Sequence, residues 1–237
     1  MSRPTCTCFD QYDAPTVTEV RFHADQQDTS CDAWHHLLEL IEQAAHDQRT
    51  EFAPFRDLNP AEREQIVTLQ PSIARLTAVK HLHLYGSFLV RMPAEIGAMQ
   101  SLEVFTPYTS HRLHWFPYEI TRCTKLKQST VSTRSLYGND KLRPPFPKLQ
   151  PGRESTHGLD RDKLQPREWG ATSIHTCSVC NRSLDNTELY QVWISLWVAT
   201  DVLPLLVNAC SQTCIQSLPQ PPQAYVQKPH TGGLGIQ

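Results

Sequence analysis

The residues best suited to chemistry in this chain are cysteines near its end. Cys177-Ser178-Val179-Cys180 is followed, after 29 intervening residues, by Cys210-Ser211-Gln212-Thr213-Cys214. Two close pairs on separate turns are what a tetrahedral zinc ion requires, because four thiolates must converge at about 2.3 Å from the metal. One structural Zn2+ held by Cys177, Cys180, Cys210 and Cys214 is therefore the expected cofactor. The same thiols would also suit a reduced apolar core, or a disulfide pair. A catalytic zinc keeps an open position and mixes in histidine or carboxylate ligands beside a general base. Four cysteines close the shell, and only Ile215-Gln216-Ser217-Leu218-Pro219 follows directly. His175 is better suited to a solvent-exposed position, or to supporting a ligand, than to replacing one. The expectation is that the chain is not an enzyme and has no catalytic residues.

The elements that must position these thiols follow from the intervening pattern. Cys177–Cys180 has the form of a knuckle turn. Leu189–Leu196 and Leu203–Val207 are rich in β-branched and aromatic residues and predict two strands. The second cysteine pair has the form of a helix start, with both sulfurs on one face. Knuckle, hairpin and ligand-bearing helix together resemble a treble-clef zinc module. Residues 150–171, with Pro151, Gly152, Gly158, Pro166 and Gly170 among charges, predict a linker or irregular loop ahead of it.

The middle of the chain is periodic. Leu69-Gln-Pro-Ser-Ile73-Ala-Arg-Leu76, Met92-Pro-Ala-Glu-Ile96-Gly-Ala-Met99, Phe116-Pro-Tyr-Glu-Ile120-Thr-Arg-Cys123 and Leu142-Arg-Pro-Pro-Phe146-Pro-Lys-Leu149 share one apolar pattern. A second set of columns alternates with it: Val79, Leu82, Leu84; Leu102, Phe105, Pro107; Leu126, Ser129, Val131. Leu89, Leu113 and Leu136 continue the columns, and Cys123 falls on one as a core residue. Each unit would bury its columns only against its neighbours, which predicts a solenoid of short strands and short returns. Over residues 66–149 the pattern resembles the leucine-rich repeat of bacterial proteins, with its leucine-proline and isoleucine-glycine signature, most clearly in 76–99. Pro107 and Ser129 depart from its strand positions. Ser87, Ser110 and Arg134 stand at its asparagine position.

In such a repeat the residues beside the strand columns form an open face: His81, His83, Tyr85, then Val104, Thr106, Tyr108, then Gln128, Thr130, Ser132. Of these, His81, His83, Tyr85, Thr106, Tyr108 and Thr130 are the expected partner-binding residues. Aromatic and hydroxyl side chains with few charges suit a protein partner better than a phosphate backbone. Ahead of the repeats, residues 31–47 place Trp34, Leu37, Leu38, Ile41, Ala44 and Ala45 on one helical stripe, with Thr29 and Ser30 as caps. Asn59-Pro60-Ala61-Glu62 predicts the start of a second, short helix carrying Ile66. Both would cap the end of the repeats.

Composition sets the remaining bounds. The 237 residues carry 22 Lys and Arg against 24 Asp and Glu, a net charge of −2, which excludes nucleic-acid binding through bulk positive charge. A nucleic-acid or regulatory role for the zinc module would rely on Lys141, Arg143, Lys148, Arg153, Arg161, Lys163 and Arg167, among the acids Glu154, Asp160 and Asp162. The hydrophobic share of 39% is enough for a core. No nucleophile elbow, phosphate loop or metalloprotease signature occurs, so a hydrolase is disfavoured. The apolar run Val192–Val207 is too short and too polar to span a bilayer, and no apolar signal core follows Met1, so a cytoplasmic chain with reduced thiols is expected. His35, His36 and His46 belong to a solvated helix face. Cys6, Cys8 and Cys31 would need a borrowed ligand to form a second site. Lys228-Pro229-His230-Thr231-Gly232-Gly233 is expected in a surface tail.

The expected architecture is thus α/β: an N-terminal segment (1–27), a helical cap (28–68), repeats (69–150), a linker (151–171) and a zinc module with tail (172–237). The expected function is a non-catalytic scaffold for protein–protein interaction.

Overall fold

A computed structural model of the chain describes residues 20–139, 145–149, 174–185 and 187–233. Helix α1 (Asp32–His46) buries Trp34, Leu37, Leu40, Ile41, Ala44 and Ala45, so the stripe turns slightly from the expected one and Leu38 sits at its margin. Cys31, not Thr29 or Ser30, occupies the N-cap. Ser30 instead donates its backbone N–H and hydroxyl to Asp28 (2.8 and 2.7 Å), closing the turn before the helix. Strand β1 (Glu51–Phe52) and helix α2 (Pro54–Asp57) follow. Helix α3 (Pro60–Gln65) begins with a full capping box between Asn59 and Glu62, and Ile66 ends it, fully buried.

Strands β2 (His81–His83), β3 (Val104–Thr106) and β5 (Gln128–Ser129) join β1 in a parallel sheet of order β1-β2-β3-β5. His81 pairs with Val104, and Val104 with Gln128, so neighbours are 23 and 24 residues apart. Strands β2, β3 and β5 are each preceded by a 3₁₀ turn: Pro71–Arg75, Ala94–Ala98 and Tyr118–Arg122. The columns Ile73, Ile96, Ile120 and Leu76, Met99, Cys123 are buried in register. Cys123 donates its thiol to the Ile96 carbonyl (3.2 Å), and burial pushes that thiol up to about 12. A Cβ on Gly97 would lie 2.6 Å from the Glu119 carbonyl oxygen. That close approach of successive turns is the physical demand behind the isoleucine-glycine pair. Ser87 and Ser110 are buried and joined Oγ to Oγ at 2.7 Å, and Ser110 donates to the Leu84 carbonyl (2.9 Å).

The second sheet has three strands. Strands β6 (Tyr190–Val198) and β7 (Asp201–Ala209) form an antiparallel hairpin, longer at both ends than the pattern predicts, with Ala199 in the left-handed region at its turn. Strand β4 (Phe116–Pro117), which lies among the periodic elements, pairs with β7. The hairpin turn also closes the free edge of the first sheet. Thr200 accepts from the Ser129 N–H (3.0 Å) and donates to its carbonyl (2.7 Å), while Ser129 Oγ donates to the Val198 carbonyl (2.7 Å). Ser129 stands in an apolar column because its partners there are polar.

One buried cluster runs from Ala33 through the periodic columns to Cys177 and Ala209. A second, aromatic cluster holds Trp115, Tyr137, Phe146, Leu149, Trp193 and Leu206. Phe146 and Leu149, expected as columns of a fourth unit, pack here and not over Ile120; Leu142 lies outside the described residues. Phe22, from the N-terminal segment, stacks on Trp193 at 5.6 Å. Residues 228–233 are not a free surface tail. His230 is buried and exchanges two backbone hydrogen bonds with Trp193 (2.8 and 3.1 Å), and Gly233 bridges Phe146. Gly232, at φ +77°, brings its Cα so close to Pro147 that a Cβ would meet the Pro147 carbonyl at 2.1 Å.

Candidate metal centre

The Cys177–Cys180 segment is a tight turn held by its own backbone. Cys177 N–H donates to the Arg182 carbonyl (2.8 Å), Asn181 N–H to the Cys177 carbonyl (3.0 Å), and Thr176 bridges Ser183. Asn181 takes the left-handed conformation that lets the chain reverse. Cys180 N–H points at Cys177 Sγ (3.5 Å).

The second pair differs from the expected helical pair. Ser211 is the N-cap of helix α4 (Gln212–Gln216), and its hydroxyl accepts from Cys214 N–H (3.2 Å). The helix therefore starts after Cys210, which sits at the end of β7, and only Cys214 is helical. The hairpin register, which sets Tyr190 opposite Ala209, fixes where Cys210 leaves the sheet.

All four sulfurs lie within 4.8 Å of one another, with Cys180 to Cys210 and Cys210 to Cys214 both at 3.6 Å. Thiolates about 2.3 Å from a tetrahedral ion are separated by about 3.8 Å, so the set fits such an ion. The thiols are spread apart electrostatically. The Arg182 backbone N–H and neighbouring thiols bring Cys180 down to about 7. Burial and the adjacent sulfurs push Cys210 up to about 12, and burial raises Cys214. Four sulfurs this close cannot all ionise unaided, and a cation among them removes that conflict. Soft thiolate donors select zinc, iron or monovalent copper over magnesium or calcium.

No protein-family model and no curated protein matches this chain.

The support beneath the centre comes from residues that spacing alone does not single out. The Arg122 guanidinium donates to the Cys177 and Ser178 carbonyls (3.3 and 2.9 Å) from the 3₁₀ turn at 118–122. Ser178 and Asn208 exchange two hydrogen bonds, Ser178 N–H to the Asn208 carbonyl (2.7 Å) and Asn208 N–H to Ser178 Oγ (2.9 Å). Gln191 Nε2 donates to Asn208 Oδ1 (2.8 Å). The available signal was a polar pair, Gln191 and Asn208, in two mainly apolar strands. His175 is exposed and does not join the four sulfurs.

On the first sheet, Tyr85 and Tyr108 are 62% and 46% exposed, with ring centroids 6.1 Å apart. His81 and His83 meet edge to face at 6.2 Å, and Thr106 and Thr130 are half-buried in neighbouring strands or strand ends. Burial lowers the His83 imidazole, whose Nε2 lies 3.5 Å from Glu51. Trp197, 64% exposed near the hairpin turn, was not among the expected residues.

On α1, His35 and His46 are exposed, and His36 pairs with Glu62 at 3.0 Å. Cys6, Cys8 and all the basic candidates except Lys148 lie outside the described residues. No helix among the described residues is long and apolar enough to cross a membrane.

Proposed function

We propose that this chain is a non-catalytic scaffold: a short leucine-rich-repeat solenoid whose open strand face takes a protein partner, with one structural zinc in a treble-clef-like C-terminal module, acting in the reducing cytoplasm. The exposed Tyr85–Tyr108 pair carries this reading. Two large aromatic rings left in water side by side, flanked by His81, His83, Thr106 and Thr130, have the composition of an interface centre. Parallel strands stacked 23 and 24 residues apart support the repeat, and a closed four-sulfur shell supports a structural ion over a catalytic one.

Affinity capture with cross-linking, followed by a binding titration of the captured protein, tests the partner face. The Tyr85→Ala/Tyr108→Ala variant is expected to bind at least about tenfold more weakly with an unchanged melting temperature, since both rings are exposed. Equal binding by the variant overturns the assignment.

A further inference from the structure

A cavity of about 60 Å³ lies between the turns Ala94–Ala98 and Tyr118–Arg122, strands β4 and β7, and residues 174–176. Glu95 and Glu119, at the same position in successive turns, both line it. Glu119 is 3% exposed, and its Oε2 is buried without a hydrogen-bond partner; Glu95 Oε2 is buried and unpartnered as well. The Ser178 side chain and Glu119's own backbone N–H both act on the Glu119 carboxyl, and the Arg122 charge lies near it, yet Oε2 has no hydrogen-bond partner. Neither lysine nor arginine lines the cavity; the basic side chain in its wall is His175. A buried carboxylate oxygen with no donor is unfavourable until a donor or a cation meets it.

We propose that this cavity binds a primary ammonium group, from a free small amine or from a lysine side chain, between the Glu95 and Glu119 carboxylates. An ammonium carries three donors and can serve both acids at once. Trp115, Pro117 and Leu206 supply apolar wall for the methylenes behind it. The volume, about that of two waters, admits the head group and little more. A divalent metal is the poorer occupant. Among the described residues the four cysteines alone bring three or more ligand atoms within 4.8 Å, so a metal here would find at most two carboxylates. The site is separate from the tyrosine face and stands without that reading.

Backbone amide shifts of residues 94–98 and 118–122 in the full chain, titrated at constant ionic strength, test it. Ethylammonium chloride and Nα-acetyl-lysine amide are the probes, with magnesium chloride as the rival. Saturable shifts in both turns with an amine are expected, about tenfold weaker in Glu119→Gln and in Glu95→Gln. Saturation by ethylammonium alone assigns free amines; saturation by the lysine amide as well assigns protein lysines. Circular dichroism checks each variant, and if Glu119→Gln does not fold, the half-buried Glu95→Gln decides alone. Shifts that do not saturate with either amine, affinity unchanged in the folded variants, or saturation by magnesium alone overturns the proposal.

Discussion

His230 shows how one side chain ties stability to pH. Its ring packs edge-on against Phe146 at 4.7 Å, and burial brings the imidazole down to about 4 from an ordinary 6.5. As pH falls below about 6.5 the unfolded chain takes up a proton that the folded chain refuses until about 4. The contribution is complete above pH 6.5 and is lost across that window, about 3 kcal/mol in all. Glu119 has the opposite sign, because burial raises its carboxyl and its protonated form favours folding at low pH. Comparison with His230→Gln, which does not titrate and keeps an acceptor for Gly232 N–H, cancels that background. Chemical unfolding from pH 7 to 4 should show wild type losing more stability than the variant. Parallel curves would contradict the buried neutral ring.

The junction of the two sheets is decided by short pieces of backbone. Ser129 receives both of its backbone partners from Thr200, on a turn 71 residues away in sequence. Thr200→Val should cost about 1–2 kcal/mol and speed hydrogen exchange of the Ser129 amide, while Thr200→Ser should restore both. Unchanged exchange in Thr200→Val would show that the turn does not seal this edge. Such a contact is not legible beforehand, since nothing near Ser129 signals a distant threonine. The local signals were legible: the Asn59 capping box, the apolar columns at 73, 96 and 120, the hairpin, and the two cysteine pairs. Strand β1 and helix α2 are too short to carry a period. Cys210 looked helical because its spacing to Cys214 is helical, but the Ser211 cap begins the helix later. Phe146 and His230 found partners on Trp193 that only the folded chain brings near.

Across the whole molecule, the four-cysteine cluster and the periodic elements share their support. Arg122 ties the knuckle carbonyls to the 118–122 turn, β4 adds to β7, and one apolar cluster passes from α1 to Cys177. A metal bound by the four thiols therefore adds its binding free energy to a fold that extends well beyond them. The most direct measurement is the metal content of freshly reduced protein purified without added zinc, with thermal unfolding, beside a Cys177→Ser/Cys210→Ser variant. One zinc per chain in wild type, absent from the variant together with a markedly lower unfolding temperature, is the predicted result. Reduced wild-type protein that holds no metal and melts like the variant would contradict the structural zinc.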